Sequence, residues 1–198
     1  SGRKDFVTAG DAADWLLVAA RSEEPGSDPR LSLAVVYPGE PGVRLEKLAP
    51  LPLMPEISHG RLFLDNALCE LLAGDGWDAY VKPFRTLEDI YVLSAMTAWL
   101  FGIGQDNDWP HTLQLRLLAL LAGCAEVSRQ APNNPAGHVL LGGLFAQFDG
   151  LKAEVNQAMT DGPPQWAAMW QRDQAVMDLA AGARGKRLAK ALAGSSLG

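Results

Sequence analysis

Gly74-Asp-Gly-Trp-Asp-Ala-Tyr-Val-Lys-Pro-Phe-Arg85 runs straight into Thr86-Leu-Glu-Asp-Ile-Tyr-Val-Leu-Ser-Ala-Met-Thr-Ala-Trp-Leu-Phe-Gly-Ile-Gly104. At this stretch the chain changes character, from short strands and turns to helices. Ile90, Leu93, Met96 or Thr97, and Leu100 or Phe101 fall on one face of a 3.6-residue repeat, which predicts an amphipathic helix. Thr86 and Asp89 stand at capping-box spacing at its start, and Gly102 and Gly104 predict its end. Glu88 and Asp89 put two acids at the helix entrance, where the macrodipole favours negative charge.

Upstream, the pattern is that of strands. Arg3–Thr8 alternates charged and apolar residues, and Ala9-Gly10-Asp11 is a turn signal. Trp15–Ala20 is a short apolar run and predicts a buried strand. Ser22–Arg30 carries two prolines and a glycine, so it is a connection. Leu31–Tyr37 is the clearest strand, ended by Pro38-Gly-Glu-Pro-Gly42. Val43–Leu48 alternates strictly, as a half-buried strand does. Pro50, Pro52 and Pro55 exclude a central strand or helix there, and Gly60–Asp65 is the last strand expected.

Downstream, Asp108-Trp-Pro110 predicts a helix start, with Asp108 as N-cap, running to about Gln130 through Leu113, Leu117, Leu120 and Cys124. Asn134 caps a third helix over about Ala136–Met159. A fourth starts near Pro164 and carries Trp166, Met169, Trp170 and Met177, with Gly182 and Gly185 as points of fraying or kinking before Arg187–Leu192. The fold class is therefore α+β. Residues 1–75 form a small antiparallel β-sheet or partial barrel, and residues 76–198 an up-down four-helix bundle.

Composition narrows the functions. With 48% hydrophobic and 20% charged residues the 198-residue chain can bury a sizeable core. A formal charge of -6 and a pI near 5.0 argue against sequence-independent nucleic-acid binding, which needs basic charge. The longest apolar run, Leu117–Ala125, is nine residues, short of the about 20 that span a bilayer. No apolar leader opens the chain, which suits a cytoplasmic protein. The start on Ser1-Gly2 rather than Met reads as a start cut away or a cloning scar. Cys69 and Cys124 stand far apart without a motif and are expected to be buried free thiols. His59, His111 and His138 do not cluster, and no metal site is expected. No nucleophile elbow, P-loop or dinucleotide fingerprint occurs.

Arg3-Lys-Asp-Phe-Val-Thr-Ala-Gly10, followed by Ala13-Asp-Trp-Leu-Leu-Val-Ala-Ala-Arg21, resembles the middle β-domain of the acyl-CoA dehydrogenase flavoproteins, which carry Gly-x-Lys-x-Trp-Ile-Thr, a turn, Ala-Asp and a strand ending in Ala-Arg. Pro41-Gly42-Val43, Ile57–Asn66 and Leu72-Ala-Gly-Asp-Gly-Trp77 are similar to that domain's next turn, its last strand and the glycine-rich entrance to the C-terminal bundle. The resemblance is at residue level over 3–104 and architectural beyond. It implies a chain matching roughly the last three-fifths of such an enzyme, with the N-terminal domain absent.

The resemblance implies FAD as cofactor, held against Phe6, Val7 and Thr8 at the positions of Trp-Ile-Thr, and an acyl-CoA thioester as ligand. It also implies Glu88 as the base that takes the substrate α-proton, as in the isovaleryl-CoA dehydrogenase branch. By themselves the residues read differently: Phe6 as strand core, Thr8 as a strand-end hydroxyl, Glu88 as a first-turn acid. The family's Arg-x-x-x-Phe-Gly, Gln-x-x-Gly-Gly and Tyr-Glu-Gly-Thr segments have no clear match. Leu140-Leu-Gly-Gly143 keeps two glycines and reads as close helix packing. The basic run Arg184, Lys186, Arg187 and Lys190 could meet CoA phosphates or an acidic partner, and equally suits a helix C-terminus. Two functions follow: an acyl-CoA dehydrogenase-like protein, truncated and of doubtful activity, or a flavin-free relative acting as an acyl-CoA-binding or assembly module. An apolar bundle face without the missing domain's cover predicts a homo-oligomer.

Overall fold

The computed structural model describes residues 1–22 and 30–194; the body of the connection expected at Ser22–Arg30 lies outside them. The chain divides into two compact units, Ser1–Lys82 and Pro83–Gly198.

The first unit is built from two three-stranded antiparallel sheets. Strands β1 (Gly2–Thr8), β5 (His59–Leu64) and β4 (Val43–Lys47) form one, in the order β1-β5-β4. Strands β2 (Leu16–Ser22), β3 (Arg30–Val36) and β6 (Glu70–Leu71) form the other, in the order β2-β3-β6. The single sheet of the sequence reading is thus two, and β6, only two residues long, carries too little pattern to be seen in advance.

Alternation decides which side chains go inside. Leu16 and Val18 on β2, Val36 on β3 and Leu62 on β5 form the buried cluster, with Val7, Val43, Leu45 and Leu64 packed against it. Leu62 is fully buried, a burial worth about 1.5–3 kcal/mol.

Two glycines hold this unit by backbone approach. Gly42 has φ +81, and a Cβ there would stand 2.1 Å from the Asp65 carbonyl oxygen, because Asp65 N–H donates to Gly42 O at 2.8 Å. Gly76 packs against β3, where a Cβ would meet Leu31 O at 2.7 Å. Gly76 also opens a wide π-type turn, Gly76–Val81, capped by Asp75, whose carboxylate accepts from Trp77 N–H at 2.9 Å and Asp78 N–H at 2.8 Å.

The second unit is helical: α1 (Lys82–Asp106), α2 (His111–Ser128), α3 (Pro135–Asp161), α4 (Pro164–Asp173) and α5 (Ala181–Ala193). The helix expected to begin near Thr86 begins earlier, because the π-type turn leads into it and Pro83 sits in its first turn, where its missing N–H costs nothing. Thr86 and Asp89 are therefore interior and buried, not a capping box. Gly102 and Gly104 do not end α1. Gly104 is buried, and its lack of a side chain lets the Trp109 ring fold back over the helix, 3.0 Å from where a Cβ would lie.

Asp108 does not cap α2. It takes a left-handed φ of 49, and Pro110 occupies the cap position. Asn134 does cap α3, accepting from Ala136 N–H at 3.1 Å. The expected fourth helix is two, α4 and α5, separated by a 3-10 turn at Gln174–Asp178. The break precedes Gly182 and Gly185, and the Met177 carbonyl there accepts from Arg184 at 2.9 Å.

Helix α3 packs against α2, α4 and α5. Trp170 of α4 is buried; its indole N–H donates to Asn156 Oδ1 of α3 at 2.6 Å and its ring meets Phe148 edge-on. Gly142 seats Leu188 of α5, the close packing read from Leu140–Gly143. Cys124 is buried and free, and burial pushes its thiol pKa up; Cys69 is free but exposed, against expectation. No helix among the described residues is long and apolar enough to cross a membrane.

Gly42→Ala should cost more than about 1 kcal/mol, since it forces a positive φ and a backbone clash together. Gly39→Ala, also at positive φ but in open space, should cost less. Urea denaturation of both variants checks the order, and equal midpoints would refute it.

Candidate functional site

In the β-unit, Phe6, Val7 and Thr8 come together on one feature. They line an open cleft of about 420 Å³ with Lys4 of β1, Trp15 just before β2, Leu17 of β2, and Leu62 of β5. The register of β1 on β5 shifts between Lys4 and Val7, a bulge that re-aims the side chains there. Phe6 is consequently 53% exposed rather than core, and its ring stacks on His59 with centroids 4.5 Å apart. Thr8 is exposed beside it, paired in register with His59. Trp15, 55% exposed, adds a second aromatic surface.

His59 was not singled out in sequence as more than a lone histidine. It is buried, and its Nδ1 has no hydrogen-bond partner among the described residues. Behind it, Ser58 Oγ donates to the Asp11 carboxylate, and Lys47 Nζ stands 3.6 Å from the same group. The Ser58 hydroxyl, outweighing desolvation and assisted by Lys47, holds the Asp11 carboxyl below the ordinary carboxylate range.

In the helical unit the two adjacent acids part company. Glu88 is exposed, and among the described residues no hydrogen bond or ion pair engages its carboxylate. Asp89 is 3% exposed. Arg184 of α5 donates to its Oδ1 at 2.9 Å and Arg187 donates to its Oδ2. The Arg184 guanidinium also lies 3.6 Å from the Phe145 ring centroid on α3, a cation–π contact. Two of the four basic residues read as candidates for CoA phosphate thus turn inward, while Lys186 and Lys190 remain exposed. The signal for Asp89 was present in the sequence: it lies on the same helix face as Leu93 and Met96, where a charge demands a partner.

A flavin needs apolar faces for its flat ring system and a few placed polar groups. The exposed Phe6 and Trp15 rings and the Thr8 hydroxyl offer that chemistry, in a cleft within the size range of ligand sites. FAD, when bound, supplies a hydride acceptor.

The chain matches no protein-family model and no curated protein. Solved structures match it over nearly its whole length. FkbI, described as acting in biosynthesis of the methoxymalonyl extender unit of the Fk520 polyketide, aligns over 98% of this chain and 62% of its own, at 18% identity and TM-score 0.74. Dibenzothiophene monooxygenase (TdsC) from Paenibacillus sp. A11-2 aligns over 96% and 63%, at 16% identity and 0.71. Butyryl-CoA dehydrogenase from Megasphaera elsdenii aligns over 96% and 59%, at 11% identity and 0.68. The chain has the acyl-CoA dehydrogenase fold, and it spans about three-fifths of the length of these structures.

Asp89→Asn should destabilise the protein by about 3–5 kcal/mol, because it leaves two guanidiniums partly buried without their counter-charge. Glu88→Gln, on the exposed neighbour, should stay within about 0.5 kcal/mol. Chemical denaturation distinguishes them, and a mild Asp89→Asn would refute the structural role.

The depressed Asp11 pKa contributes stability that is present above the unfolded carboxylate value and lost as pH falls through the folded one. Ser58→Ala removes its largest cause, so the Asp11 titration should move up toward the ordinary value. NMR titration of the side-chain carboxyl checks this; an unmoved curve would count against it.

Proposed function

We propose that this chain is the β-unit and helical bundle of an acyl-CoA dehydrogenase-like flavoprotein, with Phe6, Val7 and Thr8 contacting FAD. The observation that carries the reading is the convergence of those three residues on one open cleft with a second exposed aromatic, Trp15. A strand core would hide Phe6; here the bulge in β1 turns it out. The substrate class is an acyl-CoA thioester. Glu88, exposed and unengaged among the described residues, takes the α-proton. The chain works in a homo-oligomer.

One observation favours a second reading, in which the scaffold serves as a flavin-free acyl-CoA-binding or assembly module. Nothing among the described residues fixes the Glu88 carboxylate, whereas Asp89 beside it is held on both oxygens. A catalytic base left to wander gives up most of the advantage of positioning.

The test is spectroscopic. The protein should take up FAD and show flavin absorbance, and Phe6→Ala should weaken that binding roughly three- to tenfold, the worth of an aromatic contact. An acyl-CoA thioester should bleach the bound flavin, and Glu88→Gln should abolish the bleaching while leaving FAD binding intact. Protein that stays colourless with added FAD would sink the flavoprotein reading. Turnover of any acyl-CoA with an electron acceptor would sink the module.

A further inference from the structure

Helix α2 buries one face and leaves the opposite one apolar. Leu113, Leu117, Leu120, Cys124 and Val127 are buried in the bundle. On the far side Leu115 is 51% exposed and Leu118 43%, and Ala119, Ala122 and Ala125 are exposed with them. From Leu113 to Ala125 the one charged residue is Arg116. Its guanidinium donates to Glu154 of α3, and Gly123 on the same flank seats Leu144 of α3, so that charge lies toward α3 and not on the outer face. The outer face of α3, by contrast, carries Gln147, Asp149, Asn156 and Gln157. A surface helix ordinarily turns polar residues to water; α2 does so only at its ends.

The residues of this face are ordered along the helix. His111, Leu115, Leu118, Ala122, Ala125 and Arg129 follow one another at alternating steps of four and three, the seam spacing along which two helices pack knobs into holes. The two leucines lie in the N-terminal half of the seam and the two alanines in the C-terminal half. A second α2 laid parallel would set leucine on leucine and alanine on alanine, crowding one end and leaving a void at the other. Laid antiparallel about a two-fold axis level with Leu120, it sets Leu115 on the partner's Ala125 and Leu118 on the partner's Ala122, so large meets small throughout. The ends match as well. Glu126 and Arg129 form an ion pair at 2.9 Å at the C-terminal end. The antiparallel register brings the partner's His111 to that pair, a ring N–H donor beside the Glu126 carboxylate. Parallel pairing would instead bring the two Glu126 carboxylates together.

We propose that the outer face of α2 is a two-fold docking surface for a second copy of this chain, with the two α2 helices antiparallel in the register Leu115 on Ala125 and Leu118 on Ala122. Two-fold pairing requires one patch to be complementary to itself. The gradient from leucine to alanine, with a donor at one end and a carboxylate at the other, has that property, and an unrelated partner would not require it. The inference rests on the homo-oligomer reading above, to which it gives a contact surface. It uses none of the cleft residues and holds with or without flavin.

Light scattering of the intact chain across a concentration series should report an even-numbered assembly. Leu118→Glu should weaken the two-fold contact about hundredfold or more, because the substitution enters a symmetric contact twice. Helical circular dichroism should stay unchanged, the position being exposed, and Ala122→Glu should act in the same way. Leu179→Glu, at another exposed leucine, should leave the assembly intact. The register is read by exchanging sizes: Leu118→Ala should weaken association about tenfold, and Leu118→Ala combined with Ala122→Leu should recover it. A monomer at every concentration would overturn the proposal and the homo-oligomer reading together, whatever else the face then serves. An assembly unmoved by both glutamate variants would overturn the α2 contact and leave the homo-oligomer reading standing. Loss without recovery in the size exchange would overturn the antiparallel register.

Discussion

The carboxylate of Asp89, buried between Arg184 and Arg187, is the interaction on which the helical unit closes. The partners are 95 and 98 residues apart in sequence, so the contact exists only when α1 and α5 have both found their places. Burying a carboxylate alone costs several kcal/mol. Two guanidiniums offset that cost on both oxygens, and the second uses of Arg184, on Phe145 and on the Met177 carbonyl, fix its own position. The break between α4 and α5 belongs to this arrangement. Arg184 donates both to the Met177 carbonyl at the break and to Asp89, so one side chain meets the irregular turn and the buried charge.

The β-unit is organised by a different constraint, the need to keep backbone close to backbone. Gly42 against Asp65 and Gly76 against Leu31 mark places where a side chain cannot be accommodated. They join the turn before β4 to the segment after β5, and the entrance of the helical half to β3. The cleft lies elsewhere in the unit, lined by residues of β1 and β2. The bulge in β1 lies at this cleft. It turns Phe6 outward onto His59, and an apolar ring that would have served the core faces the cleft instead.

These two constraints explain what was legible in the sequence. The strands β1 to β5 were readable because alternation in Val43–Lys47 and the apolar run in Leu31–Val36 report directly which face is wet. The cap at Asn134 was readable because capping is local. The start of α1 was not, because the deciding contacts are the π-type turn and the Asp75 carboxylate, both before the residues that carry the helical period. The split of the last helix was hidden because the break falls before Gly182 and Gly185, the residues that signal one. At the candidate site, Phe6, Val7 and Thr8 were found through resemblance, and their convergence with Trp15 needed the third dimension. His59 carried no signal, since a lone histidine in a strand has the same pattern whether or not its ring nitrogen finds a partner.

Identities of 11–18% are enough for this fold because little of it depends on surface chemistry. Positions closed to a side chain, and a charge that must be paired, restrict sequence strongly; exposed positions do not. The acid pair at the entrance of α1 shows how one turn of helix serves both kinds of position. Successive residues on an α-helix point about 100° apart, so two adjacent acids cannot both face the same partner. Turning Asp89 inward to the arginines of α5 turns Glu88 outward. The geometry that commits one carboxylate to holding the bundle together is what leaves the other exposed.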